Sequence, residues 1–395
     1  MLAAAPSMPS MAQRNGQILA YVGSYNGAIG SGGNGQGIYL FRMDLSTGVL
    51  TLIKVASTVP SPSWMQIDPS GKYLYTVNEI SNFNGTTSGS VSAFSINRST
   101  GDLTFLNVVS SQGAGPAFLS VDPLGKFVFV ANYGGGSVAV LPIESNGSLG
   151  NATDVKVDTG SVGPTRATDA PPGSFAISGH DAPHAHMIQA DPAGKFVFST
   201  DLGQDRIYSW VLNRSMGTLS PNSPPYVPVP PGDGPRHFAF HPNGRFFYSI
   251  QEEASTIIFF DYDAAHGTLT QQQMVSTLPP GFVGTNFTSE IRISADGKFL
   301  YGANRLHDSI ATFSVGPDGR LTRVSEVWTR GDYPRSFTID PTDSFLVSCN
   351  QRSDALTTYR VHPGNSHSED PHAGTFVFTG QYTPVGSPAI IIFLT

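Results

Sequence analysis

His186, Arg236 and Arg335 occupy one column of a repeated phrase whose other copies hold Ser63, Ala117 and Ser289 at that place. Glu252 stands in a neighbouring column, together with Glu79 and Arg305. An imidazole, a carboxylate and two or three guanidiniums around one cleft suit an anionic or oxygen-rich substrate. They also suit a reaction that passes through an oxyanion. Arg stays protonated and offers a planar fork, so it can hold a carboxylate and stabilise developing negative charge. Glu252 or His186 can deprotonate a water, the imidazole titrating near neutral pH. His186, Glu252, Arg236 and Arg335 are therefore the catalytic candidates. His184, Glu79, Arg305, Arg292 and His237 are the substrate-binding candidates.

Each has a plainer reading beside it. His237 can pack between repeats, Arg292 can pair with Glu290, and His307 and Arg352 fall in hairpin turns where a solvated side chain is the default. His241 replaces a turn Asp and reads as scaffold. The PHAH run at Pro183–His186 puts two imidazoles at i, i+2, which in a strand share a face. That is half a metal site without a set of carboxylate or Cys partners, so no metal and no cofactor is expected. There is no G-x-S-x-G elbow, no H-E-x-x-H and no Gly-rich phosphate loop before a helix.

These residues are placed by the phrase itself, which recurs as DPSGKYLYTVNE (from Asp68), DPLGKFVFVANY (Asp122), DPAGKFVFSTDL (Asp191), HPNGRFFYSIQE (His241), SADGKFLYGANR (Ser294) and DPTDSFLVSCNQ (Asp340). Self-similarity at a period of about fifty residues signals a repeat architecture. Each unit reads as short Val-, Phe-, Ile- and Tyr-rich strands separated by Pro, Asp, Gly and Asn clusters. Four strands, A to D, fit each unit, and radial repetition of such blades protects sheet edges. The N-terminal unit lacks a strand A, and the C-terminal SPAIIIFLT is a strand A with nothing after it. The expected fold is therefore an all-β, seven-bladed propeller, with strands from both termini sharing one blade. Strands A should start near Pro62, Pro116, His184, Pro235, Thr288, Pro334 and Pro388. The start of A and the end of B then share a rim, which also receives the long connections at Asn26–Gln36, Ser81–Gly89, Gly160–Pro183, Pro221–Gly234 and Pro279–Thr288. The Asn, Asp or Gln that ends each strand B reads as a structural residue of the B–C turn.

Composition narrows the classes. With 395 residues, 43 Gly, 30 Pro and 13% charged residues, the chain is rich in turns and poor in exposed helices. Residues 1–17 read as a flexible segment and 18–395 as one domain. A net charge of −7 with scattered basic residues argues against nucleic acid, and no apolar run is long enough for a membrane-spanning helix. The single Cys349 reads as a small buried hydrophobe. The small, polar, Pro-containing start and six N-x-S/T sequons, at Asn84, Asn97, Asn146, Asn151, Asn213 and Asn286, favour a secreted or periplasmic protein over a cytoplasmic one.

The runs YVGSY…GIYLFRMDLSTGVLTL, PHAH, GPRHFAFHPNGRFFY, EIRISADGKFLYGANRLHDSIATF and GDYPRSFTIDP resemble the propeller-type lactonases. That group includes the bacterial 6-phosphogluconolactonase of β-propeller type and is related to the fungal 3-carboxy-cis,cis-muconate lactonizing enzyme. The resemblance runs from Tyr21 to Phe393 and implies a seven-bladed propeller. It also implies an active-site set of His186, Arg236, Glu252 and Arg335, with Gln251 departing from the family's usual Asn and His184 as an additional imidazole. The implied activity is hydrolysis of a sugar lactone, 6-phosphoglucono- or aldono-, by a monomer that uses a small-molecule partner only. Lactonizing or cycloisomerising chemistry on an unsaturated dicarboxylate, and a non-catalytic carbohydrate- or protein-binding propeller, are the alternatives.

Overall fold

The computed structural model describes residues 16–27, 32–174, 179–362 and 373–395. Seven four-stranded antiparallel sheets are arranged as blades, and a two-stranded hairpin of Asn26–Gly27 and Gly33–Asn34 is added at the rim. Strands A line the central channel at Met65–Ile67, Pro116–Val121, Ala185–Ala190, Pro235–Phe240, Thr288–Ile293, Pro334–Ile339 and Pro388–Leu394. The last of these pairs with Gln17–Ser24, in register from Leu19↔Leu394 to Gly23↔Ile390. Ile38–Asp44 and Leu50–Ser57 complete that blade, so both termini close the ring as the split unit implied. Four of the seven strands A begin with Pro, a residue tolerated at the first position of an edge strand because no ladder donor is lost there.

Burial grades outward across each blade. Strands B are buried almost throughout, Phe127–Asn132 and Phe246–Gln251 completely, while strands D such as Thr268–Ser276 face solvent in part. Successive blades are tied by a repeated bond from a strand B tyrosine to a glycine in the next blade's C–D turn. Tyr21 Oη donates to Gly101 O, Tyr75 Oη to Gly147 O and Tyr248 Oη to Gly319 O, at 2.8–2.9 Å. A Cβ on Gly147 would sit 2.1 Å from the Tyr73 ring, so this turn needs glycine for space as well as for its φ of +85°.

The residues ending strand B are structural, as expected. Asn78 donates to Ser90 and Ser92, Asn132 to Ser111 O, and Asn350 to Thr329 O and Thr357. His241 accepts from Asn243 N and bonds Gly297 O, and Cys349 is fully buried. Two expectations are corrected. The connection placed at Pro221–Gly234 is shorter, because strand D runs Thr218–Pro228; its prolines lie on the outer edge, where a missing N–H costs little. Asn286 is no exposed glycosylation acceptor: it is wholly buried, its amide donating to Ser255 and Asn304. No helix among the described residues is long and apolar enough to cross a membrane. The proposed leader lies almost entirely outside the described residues.

Candidate active site

A local irregularity of strand A presents the candidate residues. In six blades the A–B register skips, from Pro116 to Phe118, Ala185 to Met187, Pro235 to His237, Thr288 to Ile291, Pro334 to Ser336 and Pro388 to Ile390. Two residues of A then oppose one of B, and the unpaired residue is re-aimed, as β-bulges do next to active sites. The bulged residues are Ala117, His186, Arg236, Ser289 with Glu290, Arg335 and, in the closing blade, Ala389. The column picked out in the sequence is thus the bulge column of the fold.

Glu252 leaves the end of its strand B to meet two of the arginines. Its Oε2 is 2.9 Å from Arg236 Nε and 2.6 Å from Arg305 Nη2. All three side chains are buried. Burial alone would raise the Glu252 carboxyl, but Arg305 and Arg236 more than offset this and hold it below its ordinary range. Burial, with Arg305 and Arg335 nearby, lowers Arg236 to about 10, still protonated at neutral pH. Glu79 accepts from Tyr25 Oη at 2.8 Å and from Ser63 Oγ. Arg335 lies with its Cζ 5.5 Å from the Tyr25 ring centre and, among the described residues, makes neither an ion pair nor a hydrogen bond. Burial works against the Arg335 charge, but Tyr25, Glu79, Tyr333 and Glu252 around it more than offset this, so its guanidinium is held at a distance and its donors are left unengaged.

The structure separates the two histidines of PHAH. Both ring nitrogens of His184 are engaged, Nδ1 with Tyr133 O at 2.8 Å and Nε2 with Asp181 Oδ1 at 2.9 Å. His184 stacks on the Tyr133 ring at 4.2 Å, whereas His186 meets that ring edge-on at 5.5 Å. The bulge between Ala185 and Met187 breaks the i, i+2 alternation that would have put them on one face. His186 is 4% exposed, and neither of its nitrogens has a hydrogen bond among the described residues. Burial first, then Arg236, His237 and Arg335, hold it well below the ordinary imidazole range. It is a neutral imidazole with an unspent lone pair.

His237 and Arg292 lie deeper in the channel than the rim residues, and each shows the plainer contacts read from the sequence. His237 lies across the channel: it meets Trp64, Phe118 and His186 edge-on at 5.0–5.1 Å, and lies 3.4 Å from Glu290 and from Arg236 Nη1. It forms a floor beneath the rim basin, buried to 1% exposure and packed among side chains of three other blades. Arg292 pairs with Glu290 at 3.3 Å and lines a cavity of about 430 Å³ beyond that floor, with Trp64, Gln189 and Pro192. Strand A runs away from the rim, so three residues past Ser289 the side chain belongs to the other mouth of the channel. Arg352 is exposed, as expected of a hairpin turn, and its Cζ lies 3.8 Å over the Tyr333 ring. His307 is half-buried, bonded to Ser309 Oγ and stacked on Trp328.

Three tyrosines complete the basin, Tyr25, Tyr133 and Tyr333. Tyr25 follows its strand B as Glu79 and Glu252 follow theirs, a correspondence hidden because the N-terminal unit lacks the D-P phrase used for alignment. No group of three or more His, Cys, Asp or Glu side chains among the described residues is arranged to hold a metal.

Residues 19–393 match the family model described as lactonase, 7-bladed beta-propeller. The 6-phosphogluconolactonase of Bacillus subtilis (strain 168) is 32% identical over 379 residues, covering 96% of this chain and 99% of that protein. The 6-phosphogluconolactonase of Formosa agariphila is 30% identical over 333 residues, 82% of this chain and 88% of its own length. Among solved structures, a periplasmic gluconolactonase of Pseudomonas aeruginosa superposes with a TM-score of 0.82 at 30% identity, covering 96% of this chain and 99% of that one.

Proposed function

Since the chain belongs to the seven-bladed β-propeller lactonase family, we propose that it hydrolyses a sugar lactone, phosphorylated or not, to the hydroxy acid in the rim basin around His186. One observation carries the assignment of roles. Glu252, Arg236, Arg305 and Glu79 are all engaged by protein partners, while the His186 imidazole and the Arg335 guanidinium are both unspent and border the same basin.

His186 takes the proton of a water as its oxygen attacks the lactone carbonyl. Its depressed basicity suits this step when substrate is present, because the forming oxyanion adds the negative charge that stabilises an imidazolium. Arg335 binds the oxyanion and then the product carboxylate. Glu252 fixes Arg236 and Arg305 in place and is too strongly paired to act as the base. The carbonyl–ring oxygen bond then breaks, and the carboxylic acid formed loses its proton to solvent.

The test is pH-stat titration over 6-phosphogluconolactone, gluconolactone, other aldonolactones and carboxymuconolactone, with spontaneous opening subtracted. Acceleration of at least one sugar lactone is expected. No acceleration anywhere, with ligand binding retained, would instead identify a binding module. Arg335→Met should lower kcat/KM by about 10²–10³-fold, as loss of an oxyanion donor does. Its urea midpoint should stay near that of the parent, since no ion-pair partner is stranded. A large loss of stability would place Arg335 in the scaffold. Export belongs to the same reading: a periplasmic relative and exposed sequons such as Asn84 and Asn146 support it, and fractionation of the expressing cells tests it.

A further inference from the structure

Tyr333 stands where the fold asks for a residue with little or no side chain. It immediately precedes the first residue of a strand A, and the matching positions of four other blades are Ser61, Gly115, Gly234 and Ser387. All five adopt positive φ: +40°, +53°, +70° and +41° in those four, and +64° in Tyr333. For a bulky residue this conformation is a genuine outlier, and such strain concentrates at functional sites. Here the backbone is clamped from both sides. Tyr333 N donates to Asp308 Oδ1 at 2.9 Å, and Tyr333 O accepts from Gln351 N at 3.0 Å.

The side chain is held as firmly as the backbone. Arg352 lies over the ring at 3.8 Å, Arg305 is 5.2 Å from its centre, and Arg305 Nη1 donates to the hydroxyl at 3.1 Å. A guanidinium has no acceptor, so in that bond the phenol oxygen receives and its own proton remains free. Most buried tyrosines here use theirs: Tyr21, Tyr75, Tyr248 and Tyr359 donate to backbone carbonyls, Tyr25 to Glu79 and Tyr262 to Asp191. Tyr333 makes no such donation among the described residues, is only half-buried, and borders the basin two residues before Arg335.

We propose that Tyr333 is the general acid of the lactone-opening step, giving its phenolic proton to the ring oxygen as that oxygen leaves. This rests on the lactonase reading above. Water has by then added to the carbonyl and lost a proton to His186. As the tetrahedral adduct collapses, the electron pair of the carbonyl–ring oxygen bond goes to the ring oxygen, which takes the Tyr333 proton and becomes the product hydroxyl. The phenolate is stabilised by Arg305, Arg335 and Arg352 and recovers a proton from the His186 imidazolium or from solvent. The same surroundings pull its ionisation the right way: burial would raise it, but Arg305 and Arg335 bring Tyr333 below the ordinary phenol value.

Tyr333→Phe and Tyr333→Gly separate this role from a structural one. With the best sugar lactone of the panel, Tyr333→Phe should lower kcat by about 10²-fold with KM changed less than threefold, and should remove the alkaline limb of the parent's kcat profile. Tyr333→Gly should lose a similar factor while unfolding at the same or higher urea concentration, because glycine relieves the positive φ. Unchanged kcat in Tyr333→Phe, or loss of activity in Tyr333→Gly matched by loss of stability, would overturn the assignment. Absence of lactone turnover in the parent would overturn the functional reading instead. In that event the parent-minus-Tyr333→Phe ultraviolet titration still decides the acid's poise: ionisation below the ordinary phenol value supports it, and ionisation at or above that value refutes it.

Discussion

His186→Gln is expected to lower kcat by about 10²–10⁴-fold, the range supplied by a positioned general base, with KM changed only a few-fold. The imidazole has no hydrogen-bonded partner to lose, so the effect falls on the chemical step. Stability should move the other way. A buried polar group without a partner costs about 1–3 kcal/mol, so His186→Leu should be at least as stable as the parent while inactive. The pH profile gives a further check. Because the imidazole sits well below its usual range, the acid limb of kcat/KM should lie below pH 6.5, where the free enzyme's base becomes protonated. Retained activity in both variants, or a limb at or above 6.5, would remove His186 from the base role. Steady-state kinetics from pH 4 to 8, with urea denaturation of the same samples, measures all of this.

Removing the carboxylate beside it should instead damage the scaffold. Glu252→Ala leaves Arg236 and Arg305 buried, like-charged and without the oxygen that joins them. Breaking one side of a buried ion pair typically costs about 3–5 kcal/mol. Glu252→Ala with Arg305→Met should recover part of that stability, since one stranded charge goes too, but not the activity. The acid side carries the sign. The folded Glu252 carboxyl lies below 4.5, so its stabilising contribution is complete above about that pH and is lost as pH falls through the depressed value. The stability gap between the parent and Glu252→Gln should therefore be constant from pH 5 to 8 and close in acid. A gap that widened in acid, or an Ala variant as stable as the parent, would contradict the ion-pair triad.

The propeller was legible because its cause is local and repeated. Strand alternation, D-P turns and a unit divided between the termini each recur or fail at definite places along the chain. The rim was legible for the same reason: strand direction puts the start of A beside the end of B whatever the side chains do. What escaped was the orientation of individual groups. His184 and His186 differ in role because one bulge turns His186 away from the strand's alternation. How deep Arg292 and His237 lie was not legible, because a linear ruler carries no depth along the channel. Tyr333 escaped because its meaning lies in a backbone angle shared with serines and glycines.

His186, Arg236, Arg335 and Glu252 could be singled out with no coordinates at all, because a repeat supplies its own control: each column shows what the scaffold needs, and the exceptions show what something else needs. Which of these four is free to react could not be read that way. Whether a charge is spent or available depends on partners from other blades, brought within hydrogen-bonding reach only when the ring closes. Closure gives Glu252 to Arg236 and Arg305, and leaves His186 and Arg335 without a hydrogen-bond or ion-pair partner among the described residues. It is on those two unspent groups and the phenol beside them that we place the proposed chemistry.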